Sequence, residues 1–223
     1  MSTLEEMYRS VPVVTRLYVT LSVVTTLGCA LDVISPLKLY LSWPRVPYQP
    51  WRLLTNFTFF GSSLNLDFLF HIFFLTRYSR LLEETTFRGR TADYAWFLLF
   101  CGGLLTAAAP FVNVMFMGPS LAFAMVYLWA RRNADVPLSF LGLVNFSAPY
   151  LPWLLLLFSF LFGASSTVDV LGIAVGHAYY YLTDVHPSIT GQEPLNTPTW
   201  LKALFRSGSA AEDARRAPIA PLD

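Results

Sequence analysis

Charge is scarce in this sequence. Asp, Glu, Lys and Arg make up 13% of its 223 residues, about half the share of an ordinary soluble domain. The net charge is only +1, which supplies no field to recruit DNA or RNA. Cysteine is scarcer still: Cys29 and Cys101 both fall inside apolar stretches, so neither a disulfide framework nor a zinc site can be built. Repeats of fixed period and low-complexity runs are also missing from the sequence. What is abundant is apolar surface, at 55% of residues. That excludes a disordered chain and argues against a soluble enzyme. The composition is that of a membrane protein.

The spacing of the charges sharpens the point. Tyr94–Ala130 is 37 residues without a charge, and Val136–Val168 is another 33. One helix of the first length would run about 56 Å, against a hydrocarbon core of ~30 Å. Pro110, Asn113, Gly118 and Pro119 interrupt it, where a hairpin would reverse the chain. Six spans follow, at about 14–34, 55–76, 94–110, 113–130, 140–162 and 166–183, with Pro149 and Pro152 kinking the fifth. The expected organisation is an all-α membrane domain over residues 1–186. A weakly structured tail over 187–223 follows, with a short amphipathic turn at Trp200–Phe205.

Twelve of the fifteen Lys and Arg residues fall on one side of these spans, and Lys38, Arg45 and Arg52 on the other. An even span number with that bias puts both termini in the cytosol. The leader before the first span carries Glu5 and Glu6, unlike a cleaved signal peptide.

Within this frame a few polar residues are costly. Asp67 and His71 stand four apart in the second span, on one helix face with Ser63. They either pair inside the bundle or line a water-filled cavity. Asn145 and His177 are the other polar residues assigned to spans. Trp51 and Arg52 mark the edge of the membrane, beside a loop in which Leu37, Leu39, Leu41 and Trp43 alternate. They read as an interfacial anchor, or as part of a loop lying in the outer leaflet. Gly172 and Gly176 have the spacing that lets two helices approach closely, and packing within the chain is preferred over dimerisation. The sequons at Asn56 and Asn145 are expected to stay unmodified, the first by its closeness to the membrane and the second by its cytosolic side.

Five segments then line up in order. They are Gln49-Pro50-Trp51-Arg52-Leu53-Leu54-Thr55-Asn56-Phe57, Arg80–Glu84 with Phe87–Asp93, Tyr127–Asn133, Asn145–Trp153 and Leu171–His177. Together they closely resemble the Derlin family, the rhomboid-like pseudoproteases of the endoplasmic reticulum, from about Tyr8 to Phe205. The resemblance implies a six-helix rhomboid-like bundle in that membrane, acting in endoplasmic-reticulum-associated degradation. Its expected work is to help misfolded lumenal and membrane proteins back to the cytosol by engaging them and thinning the bilayer locally. The implied partners are a membrane-embedded E3 ubiquitin ligase and a cytosolic hexameric AAA ATPase. No cofactor and no nucleic acid are expected, and oligomeric state is left open. The family's tryptophan–arginine pair corresponds to Trp51 and Arg52, and its glycine pair to Gly172 and Gly176. Some members end in a motif of phenylalanine with glycine two residues on. Here Phe205-Arg206-Ser207-Gly208 has the glycine one place late.

The competing reading is intramembrane proteolysis by Ser120 and His177, since active rhomboids place a serine and a histidine in the fourth and sixth spans. Pro119 removes a backbone donor before Ser120, and Leu121 stands where a small residue keeps the catalytic turn open. Tyr179, Tyr180 and Tyr181 crowd the segment after His177. The expectation is therefore a protein without catalytic activity. A small-solute transporter has no internal repeat to support it.

Overall fold

The computed structural model describes residues 6, 8–61, 63–112, 114–140, 144–161 and 166–205. The first long helix, α1 (Val13–Ala30), ends where Asp32 takes a left-handed φ of 56°. A loop with two short 3-10 turns, Pro36–Lys38 and Trp43–Arg45, leads to α2 (Arg52–Thr58). Next come α3 (Leu66–Leu81), a π-helical turn at Leu82–Thr86, α4 (Thr91–Val112) and α5 (Gly118–Arg132). A two-stranded hairpin, β1 (Pro137–Phe140) against β2 (Val144–Ser147), pairs Leu138 with Phe146. After it stand α6 (Leu151–Leu161), α7 (Ser166–Tyr180), a second π-helical turn at Tyr181–Val185 and α8 (His186–Thr190).

The axis of the bundle is α5. Small residues on it (Gly118, Ser120, Ala122, Ala124, Ala130) alternate with Leu121, Met125, Leu128 and Trp129, and all of these are buried. Helices α2, α3, α4, α6 and α7 all pack on it. The outer helices show the reverse of a soluble pattern. Helices α1 and α4 are long and apolar enough to cross a membrane, with mean hydropathies of 1.5 and 1.9, yet most of each is not covered by the protein. Leu17, Leu21, Val24, Leu99 and Leu104 face outward. Exposed apolar surface on that scale needs an apolar solvent.

Two expected spans take a different form. The second is broken: α2 stops at Thr58 and α3 starts at Leu66, with Asn65 as its N-cap, the Oδ1 accepting from Phe68 N at 2.9 Å. Ser63 therefore precedes α3 and does not continue the His71 face. Gly118 packs closely on the break, where a Cβ would stand 2.7 Å from the Phe57 carbonyl oxygen and 3.2 Å from that of Phe59. The Phe57 carbonyl, freed from helix bonding, accepts instead from Tyr18 OH at 2.9 Å. The fifth span is shorter than expected, because its first residues form the hairpin. Asn145 consequently lies exposed on β2, not inside a span. Apolar alternation through Leu138, Phe140, Val144 and Phe146 suits a strand, and the prolines at 149 and 152 delay the helix.

Residues 191–205 return to the bundle. Thr197 Oγ1 donates to Asp93 Oδ1 at 2.7 Å, and Leu201, on a short helix over residues 199–205, is buried. The first part of the expected tail is thus docked. Arg206, Ser207 and Gly208 of the altered motif lie outside the described residues.

Candidate functional site

The loop between α1 and α2 is fixed by one cation. Arg52 is 2% exposed. Its Nε donates to Gln49 Oε1 at 2.6 Å, and its Nη1 donates to the carbonyls of Tyr40 at 2.8 Å and Leu37 at 3.1 Å. The guanidinium also lies over the Tyr40 ring, 5.1 Å from its centroid. A buried guanidinium supplied with carbonyl acceptors and an aromatic face is a structural clamp. Trp51, one residue earlier, is 51% exposed. Adjacent residues on a helical turn point about 100° apart, so Arg52 faces the loop while Trp51 faces out. Leu39 and Leu41 are buried against the bundle, with Cys29 and Phe59 beside Leu39. Leu37, Trp43 and Tyr48 stay exposed with Trp51. Only half of the expected alternating stripe therefore faces outward.

The seam between α5 and α7 is the tightest helix contact. A Cβ on Gly172 would collide with the Ser120 carbonyl oxygen and stand 2.6 Å from Phe123 Cβ. At Gly176 it would meet Ala124 O at 3.0 Å and Tyr127 Cβ at 3.1 Å. These two glycines let the backbones touch within one chain.

The same seam separates the two residues of the proteolytic alternative. Ser120 is fully buried, and its Oγ donates to the Val168 carbonyl at 2.7 Å. His177 Nδ1 bonds to Tyr127 OH at 2.7 Å. Tyr127 lies seven residues beyond Ser120, about 10 Å further along α5. Each side chain is thus engaged with a different partner, two turns apart along the seam. His177 is hydrogen-bonded but exposed, not buried as a satisfied core histidine would be.

A polar group that sequence reading passed over lies near the Ser120 end. Asp169 is 5% exposed, with Oδ2 lacking a hydrogen-bond partner. Ser159 of α6 and His71 of α3 stand within electrostatic reach of its carboxylate. The His71 ring also packs on Phe60, with centroids 5.8 Å apart. The expected partner of His71, Asp67, has its backbone in α3, while its side chain lies outside the described residues. The signal for Asp169 was present: it precedes Gly172 by three residues and Gly176 by seven, so it lies on the packing face of α7.

The sequence signature of the Der1-like family matches residues 11–199. The chain belongs to the Der1-like, or Derlin, family. It is 49% identical over 236 residues to Derlin-2.2 of Arabidopsis thaliana, covering 98% of this chain and 96% of that one. Derlin-2.1 of Zea mays is 50% identical over 214 residues, covering 90% of this chain and 86% of its own. A probable derlin-2 homolog of Dictyostelium discoideum is 46% identical over 210 residues, again covering 90% of this chain and 82% of its own. A Der1-like membrane protein fits the outward apolar faces of α1 and α4, and no side-chain arrangement at Ser120 or His177 favours a protease.

Within this Derlin the sites assigned by sequence fall into distinct places. Trp51 and Arg52 hold the loop end, Gly172 and Gly176 the central seam, and Asn145 an exposed strand. The sequon residue Asn56 is fully buried, its Nδ2 donating to the carbonyls of Arg52 and Leu53 at 2.9 Å each. At the far end, Glu83 is a buried carboxylate that sequence reading did not single out. It accepts from Thr15 N at 2.9 Å, Thr15 Oγ1 at 2.8 Å and Val14 N at 3.2 Å, capping α1. A carboxylate at a helix N-terminus is the favourable sign for the helix dipole.

Proposed function

We propose that this Derlin is a non-proteolytic component of endoplasmic-reticulum-associated degradation that assists retrotranslocation of misfolded lumenal and membrane proteins. In this reading the chain crosses the endoplasmic reticulum membrane six times, with both termini cytosolic. It works beside a membrane E3 ubiquitin ligase and a cytosolic AAA ATPase, reached directly or through adaptors.

The observation that carries the reading is how little of the central bundle could span a full bilayer. Helix α5 has 15 residues, about 22 Å of rise against a hydrocarbon core of ~30 Å, whereas α7 runs on without a break into the second π-helical turn. The second crossing is split into helices of 7 and 16 residues. Short, broken helices draw the bilayer thin around them through hydrophobic mismatch, which lowers the barrier for a polar chain alongside. The break between α2 and α3 and the aromatic loop clamped by Arg52 supply polar and amphipathic contacts at the lumenal edge of that thinned zone. The even number of crossings and the excess of Lys and Arg at the end carrying Arg88, Arg90, Arg131 and Arg132 support the cytosolic termini.

Affinity purification from membranes opened with a mild detergent tests the assignment. The reading expects a ubiquitin ligase and an AAA ATPase to co-purify with the full chain. Recovery of the intact chain with neither, from cells accumulating a misfolded client, would remove it.

A further inference from the structure

Two of the segments that carry the family resemblance have no part in the proposed function, yet the fold brings them together. The first π-helical turn with the segment after it, the end of α5 and the second π-helical turn line an open cleft of about 550 Å³ at the end of the bundle opposite the Arg52 loop. That volume falls within the range of ordinary ligand sites, roughly 300–1,000 Å³, but the lining is not the usual apolar one. It consists of the guanidiniums of Arg90 and Arg132, the hydroxyls of Thr85, Thr86 and Thr183, and the Asn133 amide, with Asp184 as the one carboxylate.

The two arginines are prepared differently. Arg132 is fixed: Nε and Nη2 donate to the Asp184 carboxylate at 2.9–3.2 Å, Nη2 also reaches Thr183 Oγ1 at 3.3 Å, and the guanidinium lies 5.1 Å from the Phe87 ring centroid. Those bonds use one edge of a planar group and leave its Nη1 side for the cleft. Arg90 is 63% exposed and held only loosely, with Nε 3.6 Å from Asp93 Oδ2. Asp184 neutralises the Arg132 guanidinium, the Thr85 and Thr183 hydroxyls donate to the Leu81 and Tyr179 carbonyls, and Arg90, only loosely set against Asp93, is the cation left for a ligand.

We propose that this cleft binds a phosphate monoester. Such a group brings three terminal oxygens and a charge near −2, which matches two guanidiniums presented from separate elements. An acidic peptide is the less suitable occupant, because the lining offers no apolar pocket to hold a side-chain anchor. A phosphorylated inositol-lipid headgroup and a soluble phosphate ester share the same chemistry, and the test separates them.

The full chain is reconstituted in phosphatidylcholine nanodiscs and titrated with inositol 1,4-bisphosphate. A parallel set of nanodiscs carries increasing phosphatidylinositol 4-phosphate. Saturable binding is expected in at least one arm, weakened about tenfold by Arg90→Gln through loss of a charge-assisted contact and partly restored by Arg90→Lys. Arg90→Gln should leave the melting temperature unchanged, since the side chain is exposed. Binding in the soluble arm assigns a free ester, and binding in the lipid arm alone assigns a headgroup. Silence in both arms up to millimolar ligand, binding indifferent to Arg90→Gln, or binding of an acidic hexapeptide with both phosphate probes silent would overturn the proposal.

Discussion

Arg52 and Tyr40 are joined twice, by a 2.8 Å hydrogen bond from Nη1 to the Tyr40 carbonyl and by the guanidinium lying over the Tyr40 ring. This double contact divides the labour of the tryptophan–arginine pair. Arg52 builds the loop, and Trp51 is what the loop presents.

The two residues should therefore fail differently when replaced. Arg52→Ala leaves the Leu37 and Tyr40 carbonyls without their donor, and is expected to cost on the order of 3 kcal/mol and lower abundance. Trp51→Ala should stay within about 0.5 kcal/mol of wild type while slowing degradation of a misfolded client. Thermal melting in nanodiscs and a client chase distinguish them. Equal melting points for the two variants would contradict the clamp. An interfacial anchor would tolerate loss of either side chain, and the burial of Arg52 sets it apart from that reading.

Gly172 and Gly176 should also rank. Gly172→Ala drives a methyl into the Ser120 carbonyl, which belongs to the backbone and cannot rotate away. Gly176→Ala asks for shifts of only a few tenths of an ångström at Ala124 and Tyr127. The first is expected to cost about 2–3 kcal/mol and the second about 1. A Gly176 variant less stable than the Gly172 variant would argue against the seam described above.

Asp169 lends itself to an opposite experiment. Asp169→Asn keeps the size of the side chain and removes a charge that is expensive to bury. Stability should be equal to or higher than wild type. A drop of 2 kcal/mol or more in chemical denaturation would mean the carboxylate is tightly paired.

Glu83 caps α1 from 68 residues away. Glu83→Gln retains one acceptor but forfeits the charge toward two backbone N–H groups, and is expected to cost about 1–2 kcal/mol. Hydrogen exchange should rise at Val14 and Thr15 specifically. Unchanged exchange there would deny the cap.

How far the sequence carried this account depends on what each residue's neighbours contribute. Long uncharged runs set the positions of α1, α4, α5 and α7 to within a few residues, because hydropathy is additive along a helix. The break after Thr58 had a local signal in Gly61, Ser63 and the N-cap residue Asn65, which the absence of charge before Asp67 outweighed. Asn145 was assigned to a span because an apolar hairpin and an apolar helix look alike over eight residues. The role of Arg52 rests on carbonyls at Leu37 and Tyr40, and nothing in a side-chain sequence announces where a backbone oxygen will point. His177 is exposed although it follows the packed Gly176, because on a helix the next residue turns about 100° away from the seam.

The claim that matters most is that this Derlin moves clients without cutting them, and one chase tests it. Wild type and Ser120→Ala are expressed at equal level in cells lacking their own Derlins, with the proteasome blocked and a tagged misfolded lumenal client followed by size. Ser120→Ala removes one hydrogen bond to Val168, about 1 kcal/mol, and should not change client handling. The account predicts full-length, ubiquitin-bearing client reaching the cytosol equally with both. A shorter client fragment formed with wild type and absent with Ser120→Ala would contradict it.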